Sequence, residues 1–314
     1  MLKQKGIVMD RKNEITGHLL AVITIIIWGT TFISTKILLK TMTPIEILFI
    51  RFIIGWAALT LAYPRRLKIE NLKQELYFAG AGLCGITLYF LLENIALTYT
   101  FASNVGVIIS VAPFFTALFA HLFLEGEKLK PQFFVGFLIA LAGIFLIGFH
   151  GVSVLQLNPL GDLLAILAAV VWAVYSILTK KIGEFHYNTV QATRRIFFYG
   201  LVFMIPALFL FEFHPSVSLL LKPINLFNII FLGLGASAVC FATWNWALKI
   251  LGAVKTSVYI YLVPVVTVIT SILILHEKIT GITLIGVVLT LAGLFISENK
   301  ISIKTKHALK DECC

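Results

Sequence analysis

Apolar stretches of about twenty residues, broken by short polar segments, follow one another along nearly the whole chain. They do not alternate apolar with polar residues, as strands of a membrane barrel do. A helix needs about twenty residues to cross about 30 Å of hydrocarbon. The pattern therefore predicts an all-α integral membrane protein with ten transmembrane helices. Their expected positions are His18–Leu39, Pro44–Tyr63, Leu76–Thr98, Val105–Leu124 and Pro131–Phe149, then Leu160–Thr179, Ile196–Phe211, Leu226–Leu248, Thr256–Leu275 and Gly281–Ser297. Pro44 and Pro131 fall at first-turn positions, where a missing N–H costs nothing. The first apolar stretch is too long for a signal-peptide core and is read as retained.

Charge then sets the expected orientation. With the N-terminus cytoplasmic, 20 of the 25 Lys and Arg fall on cytoplasmic loops and tails and 4 on the outer side. Arg51 lies inside the second helix. This is the positive-inside pattern, so both termini are expected in the cytoplasm of a multi-pass cell-membrane protein. The same residues account for the net charge of +10. Scattered over loops, they suit anionic lipid rather than nucleic acid. The chain is 59% hydrophobic and 13% charged. Soluble domains are about 45–50% apolar and about 25% charged. The cysteines show no metal-ligand spacing, so no metal and no cofactor are expected.

The two halves resemble each other. Leu19–Trp28 reads LLAVITIIIW and Leu163–Trp172 reads LLAILAAVVW, 144 residues later. At an offset of 151, Phe90 matches Phe241, Asn94-x-Ala96-Leu97 matches Asn245-x-Ala247-Leu248, and Pro113 matches Pro264. At an offset of 150, Glu127-Lys128 matches Glu277-Lys278 and Leu141-Ala142-Gly143 matches Leu291-Ala292-Gly293. The expected units are 16–150 and 158–298, with a basic tail at 299–314. Five helices per unit is odd, so the copies should cross the membrane in opposite senses. Such inverted repeats are a recurring plan of secondary transporters. A repeat that only builds structure is the alternative.

These residues carry a family resemblance. Trp28-Gly29-Thr30-Thr31-Phe32, Arg51-Phe52, Asn94-x-Ala96-Leu97-x-Tyr99-Thr100, Pro113 and Gly126-Glu127, with Asn245, Pro264 and Glu277 in the second half, resemble the EamA family of the drug/metabolite transporter superfamily. The second half departs at Trp172-Ala173 and at His276-Glu277. The resemblance implies a carrier that moves small metabolites, such as amino acids or related solutes, usually outward, by alternating access. A channel-like facilitator, an intramembrane enzyme and a receptor are the alternatives. A coupling proton or ion is implied by export, and no residue identifies it.

No catalytic set is legible. His276-Glu277 lacks the second His of a zinc-protease helix, and Glu93 with His121 lacks a paired acid. Charges inside helices are informative, because each costs about 2.5–3.5 kcal/mol to insert. Arg51 lies about 10 Å and Glu93 about 8 Å from the outer ends of their helices at 1.5 Å per residue. An ion pair acting as an outer gate, or meeting a zwitterionic solute, is one reading; a purely structural pair is the other. Mixed polar and aromatic stripes occur at helical spacing. They are Thr24, Trp28, Thr31 and Thr35; Ser103, Gly106, Ser110, Phe114, Ala117 and His121; Thr87, Asn94 and Thr98; and Thr256, Tyr259, Thr267 and Thr270. They suit a central water-filled cavity, or interhelical hydrogen bonds. The resemblance assigns most of the lining to helices 3, 4, 8 and 9. The candidates are Tyr89, Asn94, Ser110, Phe114, Trp244, Asn245, Tyr259 and Thr267. Asn94 and Asn245, matched between the halves, are expected to mark opposite ends of one solute path. Pro113 and Pro264 are expected to bend their helices near mid-membrane, since each removes a backbone hydrogen bond.

Overall fold

The computed structural model describes residues 2–99, 105, 108–125, 130–148, 158–211, 213–275 and 281–298. Every regular segment among them is helical. In chain order the principal helices are α1 (Leu2–Leu38), α2 (Pro44–Ala62), α3 (72–99), α4 (Ala112–Phe123), α5 (Pro131–Gly148), α6 (Pro159–Glu184), α7 (Thr189–Leu210), α8 (Pro223–Leu251), α9 (253–275) and α10 (Gly281–Glu298). Six of these, α1, α2, α3, α6, α7 and α8, carry stretches long and apolar enough to cross a bilayer. The apolar stretches of α4, α5, α9 and α10 among the described residues are shorter. Large apolar side chains cover the outside, with Leu61 and Phe209 each 83% exposed. Such a surface needs lipid around it.

Local chemistry sets the helix starts. Thr43 and Glu46 form a capping box at α2, the Thr43 N–H donating to Glu46 Oε2 at 2.8 Å. Glu46 is thereby occupied at a helix end. Asn188 Oδ1 accepts from the Val190 N–H at 3.0 Å, which starts α7 at Thr189. This corrects the expected helix bounds of Thr179 and Ile196, which leave Lys180, Lys181, Arg194 and Arg195 in the connection. The first two lie in α6 and the last two in α7, and the connection between these helices is residues 185–188. Apolar runs mark the lipid-embedded part of a helix, while backbone hydrogen bonds continue beyond it to the next cap. At the start of α9, Gly252 takes a φ of 89°, where a side chain would be strained.

The two halves pack as counterparts. First-half α1 lies on α8, and second-half α6 lies on α3. Likewise α2 packs on α8 where α7 packs on α3, and α1 meets α9 where α6 meets α4. Helices α2 and α7 pack on each other, as do α5 and α10. That exchange of partners is what a two-fold relation between the halves produces. Even the irregularities repeat, with π-helical turns at Leu83–Leu88 in α3 and Phe231–Val239 in α8. The α5–α10 contact is backbone against backbone. A Cβ on Gly143 would lie 2.5 Å from the Thr290 nitrogen, and one on Gly293 would lie 2.4 Å from the Ala140 nitrogen. Gly143 and Gly293 are matched residues, so small side chains on both helices permit this approach.

Candidate functional site

At the centre, matched residues meet each other. Trp28 lies edge-on to Trp172 with ring centroids 5.6 Å apart. Phe52 meets Phe197 at 5.0 Å, and Phe90 meets Phe241 at 6.4 Å. Members of these pairs are 144, 145 and 151 residues apart in sequence. Only residues on a two-fold axis touch their own counterparts, so these rings mark the axis. Trp244 joins them, 5.1 Å from Trp28 and 6.3 Å from Trp172. Each such aromatic pair contributes about 0.5–1.5 kcal/mol beyond its buried area. The expected central cavity is therefore, among the described residues, a packed aromatic cluster. Facing copies of one ring close on each other across the axis.

Charge borders this cluster on one side. Arg51 is 7% exposed, and its Nε donates to Ser237 Oγ at 3.0 Å. Its guanidinium lies 5.2 Å from the Phe52 ring centre and 5.0 Å from that of Phe90. Glu93, half-buried on α3, lies within electrostatic reach of Arg51 and of the Tyr89 hydroxyl one helical turn before it. Tyr89 begins the helical segment after the π turn, and its ring lies 4.8 Å from Trp172. Arg51, Glu93, the Tyr89 hydroxyl and the aromatic rings thus form one continuous patch.

Asn245, adjacent to Trp244, ties three helices together. It accepts the Tyr175 hydroxyl of α6 on Oδ1 at 2.6 Å, and its Nδ2 donates to Thr193 of α7 at 3.0 Å. Beside it lies a small cavity of about 20 Å³ bounded also by Thr179, Tyr187 and Lys249. That is room for about one water molecule.

The remaining candidates lie apart from this patch or add little to it. Phe114 stacks on Phe137 of α5 at 5.4 Å. Ser110 is buried at the turn before α4. Tyr259 packs against α1, its hydroxyl 2.6 Å from His18 Nδ1. Asn94 is half-buried next to Glu93. Pro113 stands in the first turn of α4, and Pro264 near the start of the Leu262–Leu275 segment of α9. The side chains of Thr267 and Thr98 lie outside the described residues, as do Ser103, Gly106, Gly126, Glu127, His276 and Glu277. Phe52, Phe90, Trp172, Tyr175, Phe197, Ser237 and Phe241 are patch residues absent from the sequence-based candidates. The constant offsets of Trp28 to Trp172 and Phe90 to Phe241 were the available signal.

The profile of the EamA-like transporter family matches residues 15–149 and again residues 159–298. The chain belongs to the EamA-like transporter family. It is similar to an uncharacterized transporter of Archaeoglobus fulgidus, 30% identical over 90% of this chain and 97% of that one. It is also similar to a probable amino-acid metabolite efflux pump of Escherichia coli strain K12, 24% identical over 96% of this chain and 99% of that one. A solved crystal structure, 23% identical, matches with a TM-score of 0.74 over 90% of this chain and 96% of its own. That last likeness is one of fold. Membership of this family makes the chain a membrane transporter and not an enzyme.

Proposed function

We propose that this EamA-like transporter is a carrier that exports amino acids or closely related solutes across the cytoplasmic membrane by alternating access. The carrying observation is the axial cluster, where counterparts from two matched halves close on each other. A two-fold arrangement of inverted five-helix units lets one half open outward where the other opens inward around a shared centre. All ten helices cross the bilayer on this reading, with both termini in the cytoplasm. The aromatic faces enclose the solute's apolar part. The ion pair of Arg51 and Glu93 opens to a zwitterion, Arg51 taking its carboxylate and Glu93 its ammonium. Such exchange replaces one charge pairing by another and leaves no buried charge bare. Asn94 and Asn245 guard opposite ends of the path. The likeness to the efflux pump supports the solute class and the direction.

The test is a counterflow screen of purified protein in proteoliposomes. Labelled amino acids should accumulate transiently against an excess of unlabelled solute inside, and the flux should saturate. Flux without saturation or trans-stimulation would mean a channel. Product formation in detergent would mean an enzyme.

A further inference from the structure

Two hydrogen-bond donors in the axial cluster stand without an acceptor. The indole N–H groups of Trp172 and Trp244 are buried, their residues 5% and 0% exposed, and no partner exists for either among the described residues. Buried polar groups are nearly always paired, and each exception asks for a reason. Comparison of the halves sharpens the point. Trp28, the counterpart of Trp172, donates from Nε1 to the Ala236 carbonyl at 3.0 Å. The residue matched to Ala236 at the 151 offset is Gly85. Gly85 is covered instead by the Tyr175 ring, which lies 2.2 Å from where a Cβ would stand. The second half has thus given up the backbone bond that the first half keeps. Tyr175 is held in that place by its own bond to Asn245.

We propose that Trp172 and Trp244 are the acceptor-recognising part of the solute site, and that their N–H groups bind a carboxylate oxygen of the solute once the cluster opens. This rests on the carrier reading and adds a chemical requirement to it. Both indoles belong to the ring layer that carries Arg51 on Phe90, joined through Tyr89 and Trp172. A cation beside neutral donors favours an anionic oxygen. An amino alcohol offers one neutral hydroxyl oxygen in place of two anionic ones, so the two donors bond more weakly or one goes unmet. Sites built around hydrogen bonds reject analogues that cannot make them. Amino acids should therefore outcompete the matching amino alcohols, which keep the ammonium and the side chain.

The experiment uses the twenty proteinogenic L-amino acids as a mixture, and their amino alcohols as the comparison. Counterflow is measured in proteoliposomes for the wild type, Trp172→Phe and Trp244→Phe, which keep a ring and lose the N–H. Half-saturating concentration should rise by about tenfold or more in each variant, and amino alcohols should compete at least about tenfold more weakly than amino acids in the wild type. In parallel, wild-type protein carrying 5-fluorotryptophan is titrated in detergent with each mixture. Amino acids should shift the resonances of Trp172 and Trp244, assigned through the two variants, and amino alcohols should not. Wild-type counterflow with equal competition by amino alcohols, with both variants within about twofold of wild type, or with shifts at other tryptophans alone, would overturn the assignment and leave the carrier standing. Absence of counterflow for every amino acid would overturn the carrier reading and this inference with it. Should a variant not fold, the fluorotryptophan shifts of the wild type decide, with that tryptophan's resonance assigned through the Trp172→Tyr or Trp244→Tyr variant instead.

Discussion

Asn245→Ala should destabilise the protein by about 1–2 kcal/mol, because it removes both bonds that join α6, α7 and α8. The two lost bonds differ in consequence. Thr193 still donates to the Thr189 carbonyl at 2.8 Å, so only an acceptor site goes unused there. The Tyr175 hydroxyl, on a residue 0% exposed, loses its acceptor. An orphaned buried donor costs about 1–3 kcal/mol in a soluble core. Interhelical polar bonds in membranes average about 0.6 kcal/mol, because the separated helices find other partners. Two bonds at that average give the lower end, and partial orphaning of Tyr175 gives the upper. In melting temperature this is a drop of about 2–6 °C for a chain of this size. The assay is thermal unfolding in mild detergent, followed by circular dichroism. A double-mutant cycle with Tyr175→Phe should return a coupling of about 0.6–1.7 kcal/mol. A cycle with Thr193→Val should return less. An unchanged melting temperature with zero coupling would refute the assignment of these bonds as helix ties. It would also remove the reason to expect more than a gating role for Asn245.

Other outcomes are expected elsewhere. Gly143→Val should separate α5 from α10, since its side chain would meet the Thr290 backbone; the cost is about 1–3 kcal/mol or more, read as lost yield and lower thermal stability. Arg51→Leu should lower folded yield more than Glu93→Gln, because among the described residues Arg51 supplies the positive charge that acts on Glu93, whereas Arg51 keeps Ser237 and two ring faces without Glu93. The double variant should recover part of that loss, and strictly additive defects would deny the coupling. Reporter fusions at Met1 and Cys314 should both report the cytoplasm, and a signal from outside at either end would contradict the proposed ten crossings.

Much of the fold was legible because lipid imposes a simple rule. Backbone groups in hydrocarbon must bond within the segment, so apolar length announces each helix. The match of halves was legible because packing positions keep their residue type, as Gly143 and Gly293 do at the α5–α10 contact. The π turns were not legible. They shift the backbone hydrogen-bond register without any demand on side-chain polarity. The extent of α7 was missed for the opposite reason: Arg194 and Arg195 are polar yet helical, and only the Asn188 cap marked the true start. For the site, a helical stripe gives a face but not the neighbour that the face meets. Phe114 and Tyr259 lie on mixed stripes, yet one packs on α5 and the other on α1. Tyr89 and Trp244, candidates from α3 and α8 that lie on none of these stripes, reach the axial rings.

The axis itself explains which residues could match and which could not. A residue on a two-fold axis touches its own counterpart. Two rings there attract each other, as Trp28 with Trp172 and Phe52 with Phe197 do. Two like charges there would repel at short range in a medium of low dielectric. Charge must therefore stand beside the axis, in one copy only. Arg51 is matched by Ile196 at the 145 offset, and Glu93 and Tyr89 by Trp244 and Cys240 at the 151 offset. The symmetric residues supply the closure, and the unmatched ones supply the chemistry. Restoring the match at one position should then fail. Ile196→Arg would place a second guanidinium at the counterpart of Arg51, where the counterpart of Glu93 is an indole and that of Ser237 is Ile86. Ile196 is 0% exposed, so the new charge would be buried without a carboxylate at the matched position. An uncompensated buried charge costs about 3–5 kcal/mol, enough to abolish most folded yield. Ile196→Met, which keeps volume and adds no charge, should fold normally. Normal yield and thermal stability for Ile196→Arg would show that charge is tolerated on both sides of the axis, and the division between closing and chemical residues would not hold.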